Sequence, residues 1–97
     1  MVYALLAHPK AQRELDALPR VVADGLRAVL AALAANPRRR RFDLKPLKGV
    51  DGEPPALRLR VGDYRVILRI DHAAQEIVIA RIGHRKVVYR GLGRSFD

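Results

Sequence analysis

A stretch in which apolar and charged residues alternate on both sides of a short turn constrains the fold more than any other part of this chain. It reads Leu57-Arg58-Leu59-Arg60-Val61-Gly62-Asp63-Tyr64-Arg65-Val66-Ile67-Leu68-Arg69-Ile70. Alternation with a period of two, interrupted by a Gly-Asp pair, is typical of a β-hairpin with a two-residue turn. Pairing Val61 with Tyr64 across that turn places Arg60 directly opposite Arg65.

The same register gives the hairpin one apolar face and one cationic face, because successive side chains of a strand point to opposite sides. The apolar face, which we expect to meet the core, collects Leu57, Leu59, Val61, Tyr64, Val66, Leu68 and Ile70. The other face carries Arg58, Arg60 and Arg65. Like charges directly opposite each other destabilise a sheet by roughly 0.2–1 kcal/mol, so we expect a polyanion from outside the fold to compensate them.

Length and composition predict one small domain without covalent cross-links. With 97 residues the chain is too short for two cores, so we expect a single domain over residues 1–97. The absence of cysteine excludes disulfides, thiolate metal sites and a thiol nucleophile. His8 and His72 have no metal-ligating companions at useful spacing, so we expect neither a metal ion nor a cofactor.

The start of the chain and its hydropathy predict a cytoplasmic protein. Residues 1–9 lack the basic, then apolar, then small-residue pattern of a signal peptide. No apolar run approaches the ~20 residues that span a bilayer, so we expect no membrane partner.

Positive charge is concentrated in the second part of the chain, within a formal net charge of +9. Residues 1–36 carry four Lys and Arg against three acids, whereas residues 37–97 carry 15 against seven. Arginine, which predominates over lysine, suits bidentate recognition of phosphate and stacking on bases. A GC-rich genome explains the preference for arginine equally well, but it does not explain the clustering.

Apolar periodicity predicts the remaining elements. We expect a strand over residues 2–7, a helix from Pro9 to Leu18, a second helix from about Pro19 or Arg20 to Asn36, and strands over residues 56–61, 64–71 and 76–82. The segment Arg38-Arg39-Arg40-Arg41-Phe42-Asp43-Leu44-Lys45-Pro46-Leu47-Lys48-Gly49 shows no clear periodicity and is interpreted as a basic connector. The predicted fold class is α+β: an N-terminal strand, a two-helix hairpin and a three-stranded antiparallel meander, forming one antiparallel sheet packed on the helices.

This order of elements, over nearly the whole chain, resembles the RelE/ParE toxin superfamily of toxin–antitoxin systems. Three stretches carry the resemblance: the hairpin Leu57–Ile67, the ending Arg81-Ile82-Gly83-His84-Arg85-Lys86-Val87-Val88-Tyr89-Arg90, and the opening Pro9-Lys10-Ala11-Gln12-Arg13-Glu14-Leu15-Asp16-Ala17-Leu18-Pro19. The Gly-His-Arg, spacer, Val-Tyr ending is similar to that of RelE-like members. The resemblance therefore implies a RelE-like fold.

For the RelE branch, the resemblance implies an endoribonuclease that cuts mRNA in the ribosomal A site. The 2′-hydroxyl attacks the adjacent phosphate, which leaves a 2′,3′-cyclic phosphate and a 5′-hydroxyl. The candidate catalytic residues matched to the family are Arg58, Arg65, Arg85 and Tyr89. Arg60 matches a further basic strand position, and the expected RNA-binding residues are Arg60, Lys45, Lys48, Arg38, Arg39, Arg40 and Arg41.

The resemblance does not decide which residues transfer protons in this reaction. The best-studied branch has a lysine where this chain has Ala56, and arginine is a poor general base. Proton transfer therefore falls to Tyr89, to His84 or to a loop lysine such as Lys48. Tyr89 either exchanges a proton through its phenol or stacks on a base, and in the second case His84 is the better candidate.

Three functions remain open on the sequence. The leading one is a ribosome-dependent mRNA interferase, which contacts mRNA and rRNA. A cognate RelB-like antitoxin is expected to wrap an acidic or amphipathic segment over it, in a toxin–antitoxin heterotetramer. The alternatives are a ParE-like inhibitor of DNA gyrase and a module that binds RNA without cleaving it.

Overall fold

Two helices pack on one face of a five-stranded sheet in the computed structural model, which describes residues 2–90. In chain order the elements are β1 (Ala4–Ala7), α1 (Pro9–Asp16), α2 (Arg20–Ala35), β2 (Asp43–Pro46), β3 (Ala56–Val61), β4 (Tyr64–Asp71) and β5 (Glu76–His84). The strands lie in the order β1-β5-β4-β3-β2. The predicted α+β class and the RelE-like arrangement are confirmed.

Proline and histidine set the limits of the helices. The His8 side chain caps α1 by accepting a hydrogen bond from the Lys10 amide through Nδ1, at 3.1 Å, and Pro9 occupies the first turn. Pro19 separates α1 from α2. Asn36, at the end of α2, has an extended φ of −155° because Pro37 follows it.

The hairpin of β3 and β4 has the register that its sequence predicts. Val61 pairs with Tyr64, and Arg60 pairs with Arg65. The bounds of both strands also agree with the prediction. The hairpin therefore turns its predicted apolar set toward the helices, while Ile67 is buried on the other side of the sheet.

The structure differs from the prediction in its strand count and in one strand direction. Residues 43–46, interpreted as part of a connector, form β2, which pairs antiparallel with β3. β1 runs parallel to β5, so the sheet is mixed and not wholly antiparallel. A period-two pattern reports which face a residue occupies, but not the direction of the neighbouring strand, and the sequence therefore did not indicate this pairing.

The core lies between the helices and the sheet. From α2 it takes Leu26, Leu30 and Leu33, and from the strands Leu59, Val66, Leu68, Ile70, Ile77, Ile79 and Ile82, all of them at most 7% exposed. Phe42 and Leu44 extend this core toward β2. Neither α1 nor α2 could span a bilayer, and residues 2–90 contain no other helix.

A β-bulge in β5 decides which side Arg81 occupies. Ile67 of β4 pairs with Arg81, but the next residue, Leu68, pairs with Ile79 and leaves Ala80 as the extra residue. Strict alternation from Ile79 would turn Arg81 toward the core. The bulge instead places Arg81 on the opposite side of the sheet and returns the next residue to the core.

We predict that Leu33→Ala lowers the free energy of unfolding by about 2–5 kcal/mol, because it removes a fully buried side chain and leaves a cavity. Val21→Ala in the same helix, where the side chain is 84% exposed, should change it by less than about 0.5 kcal/mol. Urea denaturation followed by circular dichroism measures both. Equal effects of the two variants would contradict the assignment of the α2 stripe to the core.

Candidate nucleic-acid interface

Four cations lie together on the face of the sheet that the helices leave uncovered. We call Lys45, Arg58, Arg60 and Arg65 the cationic face. Strand pairing sets them in two rows: Asp43, Arg60, Arg65 and Gly83 follow one another across the strands, and Lys45, Arg58, Ile67 and Arg81 form the next row. Neighbouring strands are about 4.8 Å apart, so adjacent members of a row are within reach of one phosphate group. The predicted clustering of Arg58, Arg60 and Arg65 is thus present in the structure, and β2 adds Lys45.

The charges of this face are only partly neutralised from within the fold. Arg58 Nη2 donates to Asp43 Oδ1 at 3.2 Å, and the Arg58 side chain is 15% exposed. Asp43 also lies directly opposite Arg60 in the β2–β3 register. Within residues 2–90, Arg60 and Lys45 have no ion pair or side-chain hydrogen bond. These two side chains therefore remain available to an external anion.

Arg65 is held in place by its own turn. Its Nη1 donates to the carbonyl oxygens of Gly62, at 2.8 Å, and Tyr64, at 2.9 Å. Gly62 permits this turn because its φ is +59°, a conformation that side chains disfavour. The guanidinium is thereby fixed by one nitrogen, while its other N–H groups stay free for a ligand.

Arg85 joins the same end of the sheet through Asp63. The Arg85 amide donates to the Asp63 carbonyl at 2.8 Å, and Arg85 Nε lies 3.7 Å from Asp63 Oδ1. Asp63 belongs to the turn that separates Arg60 from Arg65. Arg85 therefore lies beside the first row.

The residues after β5 fold back over the cationic side of the sheet. Val88 is 1% exposed and packs on Ile67, with Leu47 beside them. A Cβ on Gly83 would lie 3.4 Å from the Val88 Cβ, so glycine allows the segment to lie directly on the sheet. Tyr89 follows this anchor and stays 38% exposed, which leaves its ring and phenol accessible.

A carboxylate from α1 holds this returning segment, and sequence reasoning missed it. Glu14 accepts hydrogen bonds from the Ile82 amide, at 2.9 Å, and from Arg81 Nε, at 3.0 Å. Arg81 Nη1 donates in turn to the Arg90 carbonyl at 3.2 Å. β1 pairs with β5 only as far as Ile79, so Glu14 satisfies an amide that no strand reaches.

His84 lies away from the cationic face. It pairs with Tyr64, and the two rings meet edge to face with centroids 5.5 Å apart. Its Nδ1 accepts a hydrogen bond from the Lys86 amide at 3.1 Å. Because Tyr64 packs against the helix-side core, the structure does not bring His84 together with Arg58 and Arg60.

The predicted RNA-binding residues outside the strands are all exposed. They are Arg38, Arg39, Arg40, Arg41 and Lys48. Arg41 lies over the Phe42 ring, 5.3 Å from its centroid. The arginine run leads into β2 at the end where Arg60 lies, whereas Lys48 follows β2 at its other end. The structure therefore groups the run with the first row and separates Lys48 from it.

Arg69 has a structural role that the sequence pattern did not reveal. It donates to the carbonyls of Pro54 and, through Nη2 at 2.9 Å, Asp51. Gly52, with a φ of +124°, gives the guanidinium room, since a Cβ there would lie 2.8 Å from Arg69 Nη1. Arg69 thus fixes the loop that joins β2 to β3.

The histidines outside this site have local structural partners. His8 caps α1, and His72 Nδ1 lies 2.8 Å from the Tyr3 hydroxyl. Within the described part of the chain, no three His, Asp or Glu side chains form a group that could hold a metal ion.

The fold is shared with small toxins, several of which have been solved in complex with their antitoxins. The chain is similar to the toxin in a RelBE toxin–antitoxin complex of Mycobacterium tuberculosis, with 29% identity and a TM-score of 0.68, over 88% of this chain and 100% of that one. It is also similar to that of the RelE–RelB complex of Pyrococcus horikoshii, with 26% identity and a TM-score of 0.73, over 91% and 100%. The isolated RelE toxin of E. coli, at 19% identity and a TM-score of 0.66 over 84% and 83%, shares the fold.

The family follows from the sequence match over most of the chain. The family model described as the ParE toxin of the type II toxin–antitoxin system, parDE, matches residues 5–89. The chain therefore belongs to this family, within the RelE/ParE superfamily that its sequence motifs indicated. It is a toxin of a type II toxin–antitoxin system. No curated protein is significantly similar to it in sequence.

We predict that Glu14→Ala lowers the free energy of unfolding by about 1–3 kcal/mol, because the buried Ile82 amide loses its acceptor. Asp24→Ala removes a carboxylate whose ion pair with Arg27 is exposed, and should cost about 0–1 kcal/mol. Thermal and urea denaturation of both variants give the comparison. A loss no larger for Glu14→Ala than for Asp24→Ala would contradict the tie between α1 and β5.

Proposed function

We propose that this toxin is a ribosome-dependent endoribonuclease that cleaves mRNA in the A site and so inhibits translation. The convergence of Arg58, Arg60 and Arg65 on one open face is the observation that carries the proposal. Cations at this spacing suit an RNA phosphate, which is the polyanion expected from the sequence. Its natural place of action is the cytoplasm, where ribosomes translate mRNA.

The reaction is attack of the 2′-oxygen on the adjacent phosphorus. The P–O5′ bond breaks, and the products are a 2′,3′-cyclic phosphate and a 5′-hydroxyl. Negative charge grows on the non-bridging oxygens of the phosphorane, and fixed guanidinium groups stabilise it more in the transition state than in the ground state. Arg65, tethered by its turn, and Arg58, tethered by Asp43, are suited to this task because little reorganisation is needed.

Arg85 and Tyr89 complete the proposed catalytic group. Arg85 lies beside the first row through its contacts with Asp63, and it supplies a further cation to the phosphate. The exposed phenol of Tyr89 supplies the proton that the leaving 5′-oxygen takes up. Arg60, Lys45 and the arginine run Arg38–Arg41 bind RNA or rRNA around the scissile phosphate.

The same surface accounts for control by an antitoxin. The similar toxins of M. tuberculosis and P. horikoshii were solved with their antitoxins. We propose that a RelB-like antitoxin wraps this chain, folds as it binds, and places acidic side chains on the cationic face. The proposed assembly is a heterotetramer.

Inhibition of DNA gyrase is the second candidate function, because the matching family model is that of ParE. In that case the cationic face would bind a protein or DNA and no RNA would be cut. Cleavage of ribosome-bound mRNA separates the two functions directly.

We predict cleavage within the A-site codon on programmed 70S ribosomes, seen by mapping 5′ ends of the mRNA. Arg65→Ala should slow single-turnover cleavage by about 10²–10³-fold, because it removes a donor that stabilises the phosphorane. Tyr89→Phe should also slow it, since phenylalanine cannot supply the proton. Arg20→Ala, an equal loss of charge on an exposed helix residue, should cleave like the wild type.

A gyrase supercoiling assay on the same preparations decides between the branches. Intact mRNA together with blocked supercoiling would move the protein to the gyrase-inhibitor branch. The absence of both activities would indicate a module that binds RNA without cleaving it. Undiminished cleavage by Arg65→Ala would overturn the assignment of the cationic face as the catalytic surface.

We further predict that Arg60→Ala weakens binding of a single-stranded RNA oligonucleotide and lowers the slope of log K against log salt by about 0.7, as expected for one lost phosphate contact. Fluorescence anisotropy at several salt concentrations measures both quantities. Arg20→Ala is the matched control and should leave the slope unchanged. Equal slopes for Arg60→Ala and wild type would show that Arg60 does not contact phosphate.

A further inference from the structure

We infer that Asp43 is the general base of the proposed cleavage, the group that takes the proton from the attacking 2′-hydroxyl. The inference rests on the proposed endoribonuclease function and adds a residue that the sequence had assigned to a connector. The cations of the cationic face supply no group that could take this proton. Arginines stabilise charge but do not accept protons at neutral pH.

Asp43 is the one carboxylate that strand pairing places in the two rows of the cationic side, within residues 2–90. Its Oδ1 accepts from Arg58 Nη2 at 3.2 Å, and its side chain remains 42% exposed. A carboxylate has four lone-pair positions, so this single contact leaves Asp43 free to accept a substrate proton. Exposure on the open side allows a ribose to reach it.

The shared guanidinium sets the distance from Asp43 to the substrate. Arg58 offers several N–H groups in one plane and can hold Asp43 with one while it binds a phosphate oxygen with another. The 2′-hydroxyl lies next to the phosphate that it attacks. A phosphate held by Arg58 and Arg60 therefore brings that hydroxyl to the Asp43 carboxylate, which is the geometry a general base needs.

In residues 2–90, the charged side chains that strand pairing places beside Asp43 are all positive. Lys45 lies two residues along its own strand, Arg58 and Arg60 face it from β3, and Arg65 follows in the same row on β4. Arg41 lines the adjoining groove, where α2 contributes only Ala28, Val29 and Ala32. These cations offset the repulsion between a carboxylate and the RNA phosphate and allow both to share the site.

The other groups considered for the base are less well placed. His84 lies on the helix side against Tyr64, and Lys48 lies beyond the far end of β2. Tyr89 is then free to serve as the acid. The Asp43 carboxylate takes the 2′-hydroxyl proton, the 2′-oxygen bonds to phosphorus, the P–O5′ bond breaks, and the 5′-oxygen takes the Tyr89 proton. Both groups return to their starting state by exchange with water.

The test is the pH dependence of single-turnover mRNA cleavage on programmed 70S ribosomes. Wild-type cleavage should vary little with pH between about 6 and 9, because an internal carboxylate takes the proton in place of hydroxide. Asp43→Asn should be slower by about 10²–10⁴-fold at neutral pH. Its rate should then rise about tenfold per pH unit as hydroxide replaces the lost base, and approach the wild-type rate at high pH.

Two further variants keep the result interpretable. Asp43→Glu keeps a carboxylate and should retain the flat profile at a reduced rate, while Asp24→Asn on α2 should match the wild type throughout. A constant deficit of Asp43→Asn at every pH would overturn the base assignment and make Asp43 a positioning residue for Arg58. Cleavage by Asp43→Asn within about threefold of wild type would overturn it as well. If the wild type itself does not cleave, the proposed function fails and this inference with it.

Discussion

The pairing of Val61 with Tyr64 is the contact on which the rest of this structure depends. A slip of one residue would turn Arg58 and Arg60 into the core and expose Leu57 and Leu59. The free energy lost would exceed the small net stability of a domain of this size. The register is fixed from both sides, by a glycine turn at one end and by an apolar face against the helices. The same strand register therefore determines both the packing of the core and the position of the cationic face.

That constraint brings like charges together, and the fold moderates their repulsion without cancelling it. Arg58 has a carboxylate partner, and Arg65 is bound to two carbonyl oxygens, whereas Arg60 between them has no partner in residues 2–90. A fold with an internal anion for each cation would be more stable, but it would leave no unpaired cation to bind a ligand. The unpaired charge lowers the stability of the folded chain, and it also allows an external anion to bind well.

The parts of the molecule that the sequence predicted are those in which a local pattern decides the structure. The hairpin is one, since alternation and turn chemistry agree, and α2 is another, since its apolar stripe ends at Pro37. The sequence did not predict β2, because only Phe42 and Leu44 show its apolar alternation. Four arginines come directly before them and have no such pattern. Glu14 and Arg81 are 67 residues apart, and the bulge that orients Arg81 leaves no mark in the sequence. The parallel pairing of β1 likewise depends on the path of the whole chain.

The position of β5 in the sheet has a consequence for biosynthesis. β1 is made first, and the only strand that it pairs with in the described part is β5, which also supplies Ile77, Ile79 and Ile82 to the core. A nascent chain that has not yet reached residue 84 consequently has an open gap between its first and fourth strands. Such a chain lacks three isoleucines of the core and the strand that joins β1 to β4, so the core is completed only when almost all of the described residues have been translated.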